Sequence, residues 1–383
     1  MAKATVCHIF EAIGNQSAIA RAAMWGVRKA LDSGYKVTVV THLLDESLRG
    51  EVEWLRTDAL KRLFFFQYAS ARHWVRGALK GRTFDIVHAQ QAQICSMADV
   101  MQCHFLTRVA YERGGLENRR APRQMAVRLQ QQGVLYLEDW YFQNLKPETR
   151  MLFDSAMLQQ EFVRLYGKPK HSDVLVLAAP TLNIASDEER AAARLKLIGE
   201  GVKALVVGFL GGIVEHKGWR RMLEALQETK DIFLLMGGPD TDTLDWPALR
   251  GRYKGLGQVR DAATFYAACD VLIVPSLFEP LGMVTFDAVA RGIPVVATPE
   301  VGSLPYALAF NTGLEWRPHE PLEPVLREAA SRRFLFHRGA KLLCDDLSSE
   351  RQGERLMAVY DDVLREKQSG ASSRKSETAV ATA

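Results

Sequence analysis

The sequence predicts an α/β protein built from two successive doubly wound domains, and three observations carry that reading. Short apolar, β-branched runs alternate with helix-like stretches through the first half. The same alternation restarts near residue 204. The length, 383 residues, makes about two domains at roughly 150 residues each.

In chain order, Ala4–Phe10 reads as a strand, followed by a loop holding Gly14 and a helix over Ala18–Leu31 that Gly34 stops. Tyr35–Thr41 reads as a second strand, completing a βαβ unit and hence a parallel sheet. Asp85–His88 and Asp99–His104 read as further strands of that sheet. In the second half, Ala204–Leu210, Ile232–Met236, Val271–Val274 and Pro294–Ala297 read as strands, with a helix over Gly218–Gln227. The boundary is expected near Leu177–Ile184, giving domains of residues 1–178 and 179–349. A last helix is expected over about 350–367, with 368–383 as a disordered tail that has nothing to pack.

Composition excludes several classes. Hydrophobic residues are 48% and charged residues 25%, as in ordinary globular proteins. The longest apolar run, Ala204–Val214, has 11 residues including three glycines, too short to span a bilayer as a helix. The first residues lack the apolar core of a signal peptide, so a cytoplasmic location is expected. Five dispersed cysteines (Cys7, Cys95, Cys103, Cys269, Cys344) fit neither a disulfide framework nor a zinc site.

Charge is uneven. Residues 1–178 carry 24 Lys/Arg against 17 Asp/Glu, a net of +7, whereas the remainder has 25 against 28, a net of −3. Between Ala59 and Phe84 six cations (Lys61, Arg62, Arg72, Arg76, Lys80, Arg82) meet no acid. Phe64, Tyr68, Ala71, Val75 and Ala78 there share one helical face. Such a helix suits an anionic membrane surface. Alternatively, its apolar face packs on the sheet and its charges are solvated. A second acid-free stretch, Asn118–Leu137, holds Arg119, Arg120, Arg123 and Arg128. No nucleic-acid module accompanies these charges, so no nucleic-acid partner is expected.

The most informative segment runs from Pro275 to Thr298. A strand ends at Val274, a loop carries Glu279 over the sheet, Gly282 permits a tight turn, and a helix starts near Met283. Amides at such a helix start, those of Gly282, Met283 and Val284, make a ready phosphate site. Asp287 follows about one turn later, where a carboxylate can accept sugar hydroxyls. Glu279-Pro-Leu-Gly-Met-Val-Thr-Phe-Asp287-Ala, then Gly292-Ile-Pro-Val-Val-Ala-Thr298, resembles the Glu-x7-Glu signature of the family 4 glycosyltransferases of the GT-B fold. Upstream, Phe209-Leu-Gly-Gly-Ile-Val-Glu-His-Lys217-Gly resembles that family's diphosphate clamp.

That resemblance implies two Rossmann-like domains facing a cleft, with transfer from a nucleotide-sugar donor to a glycan or lipid-linked acceptor. It implies retention of configuration and a place in cell-envelope polysaccharide or lipopolysaccharide synthesis. Glu279 would touch the donor sugar, Asp287 the ribose and Lys217 the diphosphate. His104 falls where family members carry a histidine facing the reaction centre, or is simply a buried or surface histidine. Gly14 lies where the family approaches the donor phosphates, or is simply a turn glycine. Two departures stand out: Gly212 replaces the clamp's arginine, and Asp287 is one methylene shorter than the family's glutamate. They leave room for a non-catalytic, sugar-nucleotide-binding scaffold as the alternative. Asp240-Thr-Asp242 imitates a metal motif but reads as a helix cap, so no metal and no separate cofactor is expected.

Overall fold

The computed structural model describes residues 2–14, 17–57, 64–90, 92–114 and 124–381. Among these residues, strands run in chain order as β1 Thr5–Ile9, β2 Ala12–Ile13, β3 Lys36–Thr41, β4 Leu43–Leu44, β5 Glu53–Arg56, β6 Ile86–Ala89, β7 Val100–Cys103, β8 Arg150–Phe153, β9 His171–Val174, β10 Leu205–Leu210, β11 Ile232–Gly237, β12 Tyr253–Gly255, β13 Val271–Val274, β14 Val295–Ala297 and β15 Gly313–Glu315. The helices are α1 Ala18–Asp32, α2 Phe64–Ala78, α3 Thr107–Glu112, α4 Gln124–Gln143, α5 Ala156–Tyr166, α6 Asp187–Leu197, α7 Trp219–Gln227, α8 Ala262–Ala268, α9 Met283–Ala290, α10 Leu304–Ala309, α11 Leu322–Ser331, α12 Arg333–Asp346 and α13 Ser349–Ala381.

Among the described residues, two large parallel sheets form, beside a two-stranded parallel pair of β2 and β4. The first has the order β5-β3-β1-β6-β7-β8-β9 and the second β12-β11-β10-β13-β14-β15. In register, Val6 lies between Val37 and Ile86, and Val207 between Leu234 and Val271. The chain order reverses direction between β1 and β6 in one sheet and between β10 and β13 in the other. Loops at the carboxyl ends of such switch strands diverge and leave a crevice, which is where open α/β sheets bind ligands. Gly14 and Gln90 follow β1 and β6, while Lys217 and Glu279 follow β10 and β13.

Local chemistry explains the helix ends. Ser17 caps α1 by accepting the Ala20 N–H at 3.1 Å. Ser186 and Glu189 form a reciprocal capping box on α6. Gly282 at φ 82° opens α9, and a β-carbon there would sit 2.9 Å from the Glu279 Cγ, so only glycine fits without displacement.

The last helix returns to the first sheet. Leu356, Met357, Tyr360 and Val363 pack with Val6, Val27, Val37 and Val39 in one buried cluster. The Tyr360 hydroxyl meets His88 Nδ1 at 2.7 Å and His8 Nε2 at 3.2 Å. Burial holds both imidazoles neutral, pushing His8 down to about 3 and His88 well below its usual value.

Two expectations need correction. The tail from Gln368 is not irregular, because α13 continues to Ala381. Asp240-Thr-Asp242 does not cap a helix: it forms a turn, with Asp240 at φ 65° and the Thr241 N–H bonded to Gly238 O at 3.2 Å. Of the two readings left open for α2, its apolar face takes the packed one: Val75 is buried and Ala71 and Ala78 pack against the first domain's core. Lys61, Arg62, Arg119, Arg120 and Arg123 lie outside the described residues. No described helix is long and apolar enough to cross a membrane.

Candidate active site

The second domain supplies an ion pair. Lys217 ends a single 3-10 turn, Glu215–Lys217, and Gly218 at φ 68° turns the chain into α7. A β-carbon on Gly218 would collide with Pro275 O, so the turn brings Lys217 against the 275–279 loop. Its Nζ donates to Glu279 Oε2, and Ser276 Oγ lies 3.5 Å from the same oxygen. Both side chains are partly buried, which makes their attraction larger than that of an exposed surface pair.

The Glu279 loop is fixed from several directions. The Glu279 N–H donates to Glu300 O at 3.0 Å, and the Gly302 N–H to Glu279 O at 2.9 Å. Arg221 donates to Pro275 O at 2.7 Å and to Thr298 Oγ1 at 3.0 Å. The Leu277 N–H donates to His216 O at 2.7 Å. The His216 imidazole, buried beside Lys217, is pushed down to about 4 and stays neutral.

Met283 and Asp287 share one face of α9. They line a cavity of about 430 Å³ with Arg21, Met24 and Trp25 of α1 and the 177–181 segment that joins the two sheets. Burial pushes the Asp287 carboxyl up to about 6, while the Arg21 guanidinium and Tyr266 hydroxyl pull the other way. Gly212 has no side chain to offer here, and a β-carbon on it would meet nothing closer than Pro239 Cδ at 3.7 Å.

The first domain holds His104 in a buried network. Its Nδ1 is 2.7 Å from Asp154 Oδ2 and its Nε2 is 3.1 Å from Gln90 Oε1. Gln102 Nε2 donates to Asp154 Oδ1 at 3.1 Å. Both ring nitrogens therefore face oxygens of the same domain, and Glu138, pushed up to about 7 by burial, holds the Thr107 and Arg108 amides just downstream. Gly14 is buried, and its N–H donates to Ala20 O at 3.2 Å, tying the loop to α1.

The structure thus unites Glu279 with Lys217, and Asp287 with the amide-bearing start of α9. His104 and Gly14 sit on the opposite sheet's carboxyl edge. Sequence reasoning missed Arg21, Gln90, Asp154, Ser155 and Arg221, none of which stands in a recognisable local motif. Among the described residues, no group of three or more His, Cys, Asp or Glu is arranged to hold a metal ion.

Residues 204–321 match the family model described as Glycosyl transferases group 1. The D-inositol 3-phosphate glycosyltransferase of Corynebacterium kroppenstedtii is 26% identical over 223 residues, covering 51% of this chain and 49% of that protein. The lipopolysaccharide core biosynthesis glycosyltransferase LpsE of Rhizobium meliloti is 37% identical over 159 residues, covering 38% of this chain and 47% of the relative. The chain thus spans about half the length of the curated relatives it matches. Among solved structures, WaaG, a glycosyltransferase involved in lipopolysaccharide biosynthesis, superposes with a TM-score of 0.70 at 18% identity, covering 94% of this chain and 99% of its own. Anabaena Alr3699/HepE in complex with UDP-glucose gives 0.64 at 15% identity, covering 94% and 100%. At these identities the superpositions establish the fold, which is GT-B with two Rossmann-like domains.

Proposed function

We propose that this chain, whose residues 204–321 form a group 1 glycosyltransferase domain on a GT-B fold, transfers a sugar from a nucleotide-sugar donor to a glycan or lipid-linked acceptor of the cell envelope. The observation that carries this reading is the meeting of Lys217 and Glu279, 62 residues apart, beside the start of α9. A diphosphate arriving at the Lys217 ammonium exchanges one anionic partner for another and leaves Glu279 for the sugar hydroxyls. The α9 amides share the phosphate charge, and that charge grows on the leaving group as the glycosidic bond breaks. With those donors in place the reaction needs no metal. Retention of configuration follows from the resemblance of the Glu279–Asp287 segment.

Asp287 is assigned to the ribose, whose hydroxyls it accepts as a carboxylate. Its value near 6 fixes the sign of a pH effect: the carboxylate is fully formed above pH 7 and lost as the pH falls through 6. A thermal-shift screen with UDP-, GDP-, ADP- and CMP-sugars tests the reading, since a ligand at 100 times its Kd stabilises by about 2.7 kcal/mol. One class is expected to raise the melting temperature, more at pH 7.5 than at pH 5, and Asp287→Asn is expected to flatten that pH dependence. No shift and no donor hydrolysis with any class would overturn the assignment.

The basic first domain is assigned to an anionic acceptor or membrane surface. Arg72 is already engaged over the Trp140 ring at 5.4 Å, so Arg76 and Lys80, with exposed Trp74 beside them, are the available contacts. Each cation near an anionic bilayer contributes about 1 kcal/mol, screened by salt. Wild type is expected to sediment with phosphatidylglycerol vesicles at low salt, and the Arg76→Glu, Lys80→Glu variant to stay in the supernatant. Equal sedimentation would remove this surface from the reading.

A further inference from the structure

Between β8 and α5, two adjacent side chains serve opposite halves of the cleft. Asp154 is buried and holds the ring of His104 at 2.7 Å, itself steadied by Gln102 at 3.1 Å. Ser155, also buried, accepts the Leu158 N–H at 3.1 Å and so caps α5. Its one hydroxyl proton goes to the carbonyl of Pro280, which belongs to the other domain and directly follows Glu279.

The residue on the other flank of Glu279 also crosses the seam. Phe278 is fully buried within the first domain's apolar cluster, its ring 5.7 Å from that of Phe105. Close approach at this seam is built into the backbone: a β-carbon on Gly302 would lie 2.6 Å from Ser155 Oγ and closer still to Pro280 O. Glu279 is thus bracketed by two first-domain contacts, one apolar through Phe278 and one polar through Pro280.

We propose that Asp154-Ser155 is a positioning dipeptide that sets His104 and the Glu279 loop in register across the interdomain seam. The inference rests on the glycosyl-transfer reading of His104 and Glu279, and neither Asp154 nor Ser155 touches substrate. A hydroxyl–carbonyl bond is modest by itself, but losing it leaves a buried carbonyl unpaired in the loop that carries Glu279. Displacement of a reacting group by about 1 Å can cost 10²-fold in rate.

The test combines hydrogen exchange on the full chain with kinetics, using the sugar nucleotide that gives the largest thermal shift. Ser155→Ala removes both the α5 cap and the bond to Pro280. Ser155→Asp keeps an oxygen for the cap but has no proton to donate. In both variants the amides of Leu277, Phe278 and Glu279 are expected to exchange about tenfold faster, with kcat down about tenfold and KM within twofold. In Ser155→Asp, the first turn of α5 is expected to exchange as in wild type. Asp154→Asn is expected to lower kcat similarly while leaving loop exchange unchanged. Wild-type loop exchange and kcat in Ser155→Asp would overturn the proposal, as would an effect confined to α5 in Ser155→Ala. Wild-type kcat in Asp154→Asn would overturn its His104 half. Faster loop exchange in a protein that turns over no sugar nucleotide would instead leave the register intact and sink the glycosyl-transfer reading.

Discussion

Glu279→Ala is expected to lower turnover by about 10² while donor affinity stays the same or tightens a few-fold. Removing one well-placed transition-state contact of about 3 kcal/mol produces a drop of that size. The scaffold around it survives, because Phe278 and Pro280 keep their own anchors and the Glu279 backbone bonds to Glu300 and Gly302 do not involve its side chain. Lys217 loses its carboxylate partner and becomes fully available to phosphate. Single-turnover kinetics with titrated donor separates the two terms. An alanine variant with near wild-type turnover would take Glu279 out of the reaction.

The second large effect is on stability. Phe278→Ala removes a fully buried ring from a core made mostly of residues of the other domain. Buried phenylalanine truncations cost about 3–5 kcal/mol, because the transfer energy is lost and a cavity remains. At roughly 2–4 °C per kcal/mol, the melting temperature is expected to fall by about 10 °C, with the two halves unfolding less cooperatively. Phe278→Leu fills part of the volume and is expected to lose well under half as much. A loss below about 1 kcal/mol in the alanine variant would mean that the seam is not packed in solution.

The alternation of strands and helices was legible because parallel strands buried on both faces read as continuous apolar runs. That is the case for Val271–Val274, every residue of which is buried. Edge strands break the rule. Glu53–Arg56 and His171–Val174 are partly exposed and carry charged or polar residues, so neither reads as a continuous apolar run, and pairing to Thr38–Thr41 and Arg150–Phe153 defines them as strands. The turn at Asp240 was a local ambiguity, since the same residue types suit a helix cap or a turn.

The site divides in the same way. Gly282, Glu279 and Asp287 were legible because their spacing along the β13–loop–α9 unit is itself the geometry, whereas Lys217 lies on the separate β10–α7 unit and was legible only through its own 209–218 segment. Asp154 and Ser155 were not, since their partners lie 50 residues upstream at His104 and 125 residues downstream at Pro280. Nothing local marks a serine that caps one helix as also clasping another domain. Arg21 was hidden for a related reason: it meets Asp287 only because α1 of the first sheet faces α9 of the second.

The return of α13 to the first sheet separates the order of synthesis from the order of completion. The first half emerges from the ribosome long before Leu356, Met357, Tyr360 and Val363, yet those side chains close the layer over Val6, Val27 and Val37. Until they arrive, that face stays open to water, and His8 and His88 lack the phenol they share. The second sheet draws no core strand from outside 205–315 and can pair its strands earlier. Helix α13 is therefore the closing step for a domain made well before it, and a ribosome that stops short of α13 releases a first domain with one apolar face uncovered.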